Sequence, residues 1–153
     1  MKKIIALSLL FASNAIAEIK LDGVTGINTK AVVLATPNAP CELTLPNENW
    51  KFISKNERPD GTAAYHHYAL ENSAINFSVY IDQSRECNNS DECLVLALQN
   101  PSYKNASSVK KYTNAGYSVA ELVLDFSKTL GREAYQLNLV AEKYENGCWY
   151  DVH

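Results

Sequence analysis

Apolar and polar residues alternate strictly through the second half of the chain. Between Ser118 and Phe126, Ala120, Leu122, Leu124 and Phe126 fall on one side while Val119, Glu121, Val123 and Asp125 fall on the other, the period-2 pattern of a strand. Tyr135, Leu137, Leu139 and Ala141 repeat the pattern against Gln136, Asn138, Val140 and Glu142. Ser127 to Gly131 between them suits a hairpin loop ending in a positive-φ residue. Asn146-Gly147 then predicts a two-residue type I′ turn into a last strand, Cys148 to Val152. Upstream, Val109 to Thr113 is β-prone, and Asn114-Ala115-Gly116 reverses it into the Tyr117 strand. The sequence therefore predicts a four-strand antiparallel meander.

The first half predicts a second group of strands. Ala31 to Ala35 reads as a short strand, followed by a connector punctuated by Pro37, Pro40 and Pro46 and ending in Asn47-Glu48-Asn49. Trp50, Phe52 and Ile53 open the next strand. Pro59-Asp60-Gly61 marks a turn into Thr62 to Leu70, and Glu71-Asn72-Ser73 a turn into Ile75 to Asp82. One helix is predicted: Asn89 or Ser90 caps it, Asp91 and Glu92 place negative charge on its first turn, and Pro101 stops it.

Together these elements predict an α+β class: an antiparallel sheet made of the C-terminal meander and an N-terminal strand pair, with one helix packed on it. No C-terminal helix follows to cover Trp149, Tyr150 and Val152, so the sheet is expected to need a second layer from upstream or from another molecule. A chain missing its last helix is a further explanation for that exposed set.

Composition adds compartment. At 153 residues, 46% hydrophobic and 20% charged, the chain is sized for one globular domain. Met1-Lys2-Lys3, the apolar run Ile4 to Ala12 and Ala15-Ile16-Ala17 read as a signal peptide cleaved after Ala17. This gives residues 1–17 as signal, 18–40 as a loose N-terminal segment and 41–153 as a single domain, periplasmic or secreted. The apolar run is too short for a membrane span, and no Cys follows the cut to carry a lipid anchor. The net charge of −3, more negative once Lys2 and Lys3 are removed, argues against nucleic acid as a partner.

All four cysteines fall after the cut, which in an oxidising compartment reads as two disulfides. Of three possible pairings we favour Cys87 with Cys93, closing a short polar loop, and Cys41 with Cys148 by elimination. The long bridge would stabilise by about 4 kcal/mol in the chain-entropy model. No C-x-x-C and no paired His spacing accompanies the cysteines, so no zinc site is expected there.

Other chemistry is thin. His66 and His67 are adjacent and point to opposite faces of a strand. There is no Gly-flanked serine elbow and no phosphate loop. Glu121 with Glu133, and Asp82 with Asp91 and Glu92, are carboxylate groupings without the spacing of a glycosidase pair or an EF-hand. No catalytic residue, metal or cofactor is therefore expected. Tyr65, His67, Tyr80, Tyr103, Tyr112, Tyr117 and Trp149 are a candidate recognition surface, since Tyr and Trp favour sites wet at one end and apolar at the other.

The order of elements, with Leu45-Pro46 and Trp50 opening a strand, the run Ile75-Asn76-Phe77-Ser78-Val79, a helix and then a meander with Gly131 at its hairpin, resembles the PsbP-like and DcrB-like superfamily of exported αβα-sandwich domains. The resemblance covers Glu42 to His153. It implies a non-catalytic accessory, scaffold or envelope role, although members usually finish with a covering helix that is lacking here. The expected function is protein–protein interaction with an envelope or secreted partner, as an accessory, inhibitor or immunity-type protein. The alternative is a small hydrolase or ligand carrier with a pocket between helix and sheet, using His66 or His67 and a carboxylate.

Overall fold

The computed structural model describes residues 31–46, 50–71, 74–83 and 86–153. The expected signal peptide, the rest of the N-terminal segment before Ala31 and the expected connections at 47–49 and 72–73 lie outside these residues. Among the described residues, nine strands run in chain order: β1 Ala31–Ala35, β2 Glu42–Pro46, β3 Trp50–Glu57, β4 Ala63–Leu70, β5 Asn76–Asp82, β6 Ala106–Asn114, β7 Tyr117–Asp125, β8 Tyr135–Glu145 and β9 Cys148–Val152. Helix α1 spans Ser90–Ala97, a 3-10 turn spans Pro101–Tyr103, and the one-turn α2 spans Ser127–Leu130.

The last seven strands form one antiparallel sheet in the order β3-β4-β5-β9-β8-β7-β6, and β1 and β2 form a separate hairpin. The final strand is therefore not an edge. It fills the centre, pairing β5 through Val79↔Val152 and Ile81↔Tyr150 and pairing β8 through Ala141↔Val152 and Lys143↔Tyr150. The β8–β9 turn has φ of 54° at Asn146 and 79° at Gly147, the two positive values that a type I′ turn requires.

Alternation sorts the sheet into two faces. Tyr68, Val79, Ile81, Val119, Ala141, Cys148, Tyr150 and Val152 share one face, and Leu34, Leu45 and Cys41 of the β1–β2 hairpin bury it. The other face carries α1, with Leu94 against Ala120, Leu122 and Val140. Beside that contact, Trp149 packs against the Cys87–Cys93 bridge, with Leu96 and Tyr144 alongside. Both disulfides join the favoured pairs, with Cα–Cα separations of 5.6 Å for Cys41–Cys148 and 5.2 Å for Cys87–Cys93. The first fastens the hairpin layer to the start of β9.

The expected α+β class is corrected by this arrangement. Strand makes up 57% of the described residues and helix 13%, so the fold is mostly β. Two physical reasons account for the difference. Helix α1 ends at Ala97, and only the short Pro101–Tyr103 turn continues the layer. The face expected to be bare is covered by a hairpin, because Glu42–Pro46 pairs with Ala31–Ala35 from Ala31↔Pro46 to Ala35↔Glu42. Prolines at 37 and 40 and at the end of β2 disguise that strand as connector, yet Pro46 sits at an edge position where no ladder donor is needed. A β-hairpin on one face and a helix on the other also departs from the αβα sandwich that the resemblance implied. Trp149 and Tyr150, expected to lack cover, are both buried, one on each side.

The asparagine cap appears as expected, with Asn89 Oδ1 accepting from the Glu92 amide at 2.9 Å.

Candidate functional site

Where the 3-10 turn crosses the centre of the sheet, five side chains meet. The Asn146-Gly147 turn sets Glu142 directly opposite Asp151 and Tyr144 opposite Trp149. Asp151 and His153, two residues apart, share the helix-side face. The ladder runs on to His153, whose backbone amide and carbonyl exchange bonds of 2.9 Å with Ser78 of β5. Pro101–Tyr103 then brings a phenol down onto the imidazole, with Tyr103 Oη 2.7 Å from His153 Nδ1 and the two rings stacked at 6.1 Å.

The result is a polar cluster with two open joints. His153 Nε2 lies 2.5 Å from Asp151 Oδ1 without forming an aligned hydrogen bond. Glu142 is fully buried at 0% exposure, and its Oε2 accepts from Trp149 Nε1 at 2.5 Å. Its Oε1 has no donor among the described residues. Burial, and next the charge of Asp151, push the Glu142 carboxyl well above the ordinary carboxylate range, against the opposing pull of the Trp149 bond. Burial also pushes the Tyr103 phenol up to about 12, with Asp151 and Glu142 adding to it. Two neighbouring acids in such a place demand a positive charge or a proton between them.

The aromatic and histidine residues expected to make a recognition surface do not form one patch. Tyr103 and Trp149 belong to this cluster. Tyr65 and Tyr80 sit opposite each other on β4 and β5, on the same helix-side face, with the His67 ring 6.3 Å from Tyr65 and the Tyr80 ring edge-on to Trp149 at 6.3 Å. Tyr112 and Tyr117 lie on the hairpin side, and Tyr117 is buried there. His66 also faces the hairpin, hydrogen-bonded to the Ala35 backbone, and burial lowers its pKa to about 4.

Each carboxylate grouping weighed in the sequence is dispersed. Asp82 pairs with the Arg58 guanidinium at 2.9 Å. Asp91 accepts from the Ser118 hydroxyl, and Glu92 accepts from Asn88 and Asn89. Glu121 lies 3.9 Å from Lys110, and its register partner on β8 is Leu139, not Glu133. An apolar crevice lined by Val32, Leu45, Trp50, Tyr68 and Phe77 opens on the hairpin side.

Sequence reasoning missed Glu142, Asp151 and His153 as a group. The signal was present: a two-residue turn at 146–147 fixes 142 opposite 151, and period 2 adds 153.

A second feature of the site region is backbone, not side chain. β8 pairs with β7 from Tyr135 to Glu142 but with β9 only from Ala141 to Glu145. Because the two-residue turn makes Glu145 and Cys148 a mutually hydrogen-bonded pair, odd-numbered residues of β8 direct their N–H and C=O groups toward β9. Past Ala141, those of Leu139, Leu137 and Tyr135 meet no strand among the described residues. Tyr135 and Leu137 are 59% and 62% exposed.

No family model and no curated protein matches this chain. The disulfides place it in an oxidising, extracytoplasmic setting. No helix among the described residues is long and apolar enough to cross a membrane.

Proposed function

We propose that this is an exported, non-catalytic protein that works by protein–protein contact, and that its partner offers an extended segment to the open edge of β8. The observation that carries the reading is the half-paired strand itself: backbone donors and acceptors at Tyr135, Leu137 and Leu139 stand beside exposed apolar side chains. Strand addition uses those two ingredients, main-chain bonds for affinity and alternate side chains for selectivity. Natural sheets otherwise shield such edges with charge, proline or a bulge, and none of these occurs between Tyr135 and Leu139. Phe126 and Leu130, also exposed, extend the apolar character of the same end. An envelope accessory, inhibitor or immunity-type role fits this mode of contact. Export by the N-terminal signal, with the mature chain starting at Glu18 in the periplasm or medium, belongs to the same reading.

A photo-crosslinking residue at position 137 of the exported protein tests it. A discrete protein adduct, absent when the crosslinker is at exposed Lys51 and lost on Tyr135→Glu, is the expected result. No adduct at 137, from a protein that is monomeric in solution and correctly oxidised, would overturn the strand-addition reading.

A further inference from the structure

We infer that Glu142, Asp151 and His153 form a binding site for one borderline divalent cation, zinc being the first choice. One ligand atom from each of the three lies within 4.8 Å of the others. Zinc bonds to nitrogen and oxygen at about 2.1 Å, which sets donors roughly 3–4 Å apart. The set must therefore close by about 1 Å at its widest and open by about 1 Å between His153 Nε2 and Asp151 Oδ1, which lie 2.5 Å apart. One imidazole and two carboxylates suit zinc or manganese better than calcium, which takes oxygen alone.

The arrangement around the donors is what separates this set from an ordinary acidic cluster. Two of the outer atoms that a bound ion would leave free, one on Glu142 and one on His153, are already held. Trp149 Nε1 donates to Glu142 Oε2 and leaves Oε1 without a partner, although the side chain is fully buried. Tyr103 Oη engages His153 Nδ1 and leaves Nε2 facing Asp151. Outer-shell bonds of this kind fix the tautomer and orientation of ligating imidazoles and carboxylates. Access comes from one side only, since the side chains of His153 and Asp151 are 29% and 19% exposed while Glu142 closes the back. An ion there reaches three protein donors and keeps its remaining positions for water or a ligand. It also supplies the positive charge that the buried carboxyl pair lacks. The competing occupant is a single proton shared by Glu142 and Asp151, which closes the pair without any metal.

Calorimetric titration of the full exported protein, stripped with chelator and then given zinc chloride alone, decides between them. The expected result is one saturable site per chain, accompanied by a change in Trp149 emission because its indole is bonded to a ligand. Glu142→Gln keeps the acceptor for Trp149 and is expected to weaken binding at least 100-fold, as is His153→Ala. Tyr103→Phe removes only the outer bond and should weaken it by about 10-fold to 100-fold. His67→Ala, outside the cluster, should leave binding intact. Native near-ultraviolet dichroism accompanies each variant, and Tyr103→Phe with His153→Ala carries the test if Glu142→Gln fails to fold. Absence of saturable binding to the folded wild-type protein, or binding that survives both His153→Ala and Tyr103→Phe unchanged, would overturn the site and leave the shared proton.

Discussion

The two halves of β8 are the same strand under opposite conditions. From Ala141 to Glu145 it has β7 or β9 beside it, the hairpin below and α1 above, and its residues Ala141 and Glu142 are buried. From Tyr135 to Leu139 it has β7 alone, and Tyr135 and Leu137 stand in solvent. Alternation of apolar and polar residues is regular from Tyr135 to Leu139 and breaks at Val140-Ala141 and Glu142-Lys143, so the uncovered half carries the cleaner strand pattern. Periodicity therefore states which side chains share a face, but not whether anything covers that face or continues the ladder. Cover is decided by the β1–β2 hairpin, far earlier in the chain, and the ladder by which strand lies alongside.

The closed half should be costly to disturb and the open half cheap. The largest expected effect comes from replacing Cys41 and Cys148 together by alanine. This bridge spans 107 residues and fastens the hairpin to β9, so its removal should cost about 4–5 kcal/mol, read as a lower urea midpoint. Removing Cys87–Cys93, with a separation of 6, should cost about 2 kcal/mol on the same model. A reversed order would show that the hairpin does not close the sheet.

Leu34→Ala addresses the same layer without touching a covalent bond. Leu34 is 1% exposed within the hairpin core, and a cavity there should cost roughly 2–5 kcal/mol. A loss within about 0.5 kcal/mol would mean that the hairpin is only loosely laid on the sheet.

His66 gives the pH form of the comparison, because it lies between β4 and the hairpin. Burial first and Lys55 next, against the opposing pull of Glu57 and the Ala35 hydrogen bond, bring its pKa down to about 4. A depressed imidazole pKa means that the unfolded chain binds the proton first. The contribution is whole above about pH 6.5 and declines as the pH falls toward about 4, by about 3 kcal/mol in all. Denaturant midpoints measured across that window for wild type and His66→Gln should converge at low pH. Parallel curves would place His66 in solvent.

Smaller still is Asn89→Ala, which removes the cap bond to Glu92 and should cost about 1 kcal/mol. At the far end of the scale, Tyr135→Glu in the open half should alter stability by no more than about 0.5 kcal/mol while abolishing the adduct formed at position 137.

Much of the architecture was legible locally. The Asn146-Gly147 turn, the helix cap at Asn89 and the strands from Thr62 to Asp82 and from Tyr117 onward all rest on contacts between near neighbours. The sheet order was not legible, because β9 inserts between β5 and β8 and joins two groups of strands that look independent in sequence. The hairpin layer was hidden by its prolines, and the helix was expected to reach Pro101 because Leu98 and its neighbours continue the apolar run. For the candidate site, Tyr103 and Trp149 were selected for a different reason, as aromatic contact residues. Glu142, Asp151 and His153 were passed over because no linear motif links them; only the turn register does.

Residue-resolved hydrogen exchange on the isolated, oxidised protein tests the open edge most directly. The amides of Ala141 and Lys143, which face β9, should be protected close to the limit of global unfolding, while those of Leu139 and Leu137, pointing the same way with no neighbour, should exchange orders of magnitude faster. Uniform protection from Leu137 to Lys143 would mean that this edge is already occupied, and would contradict the account.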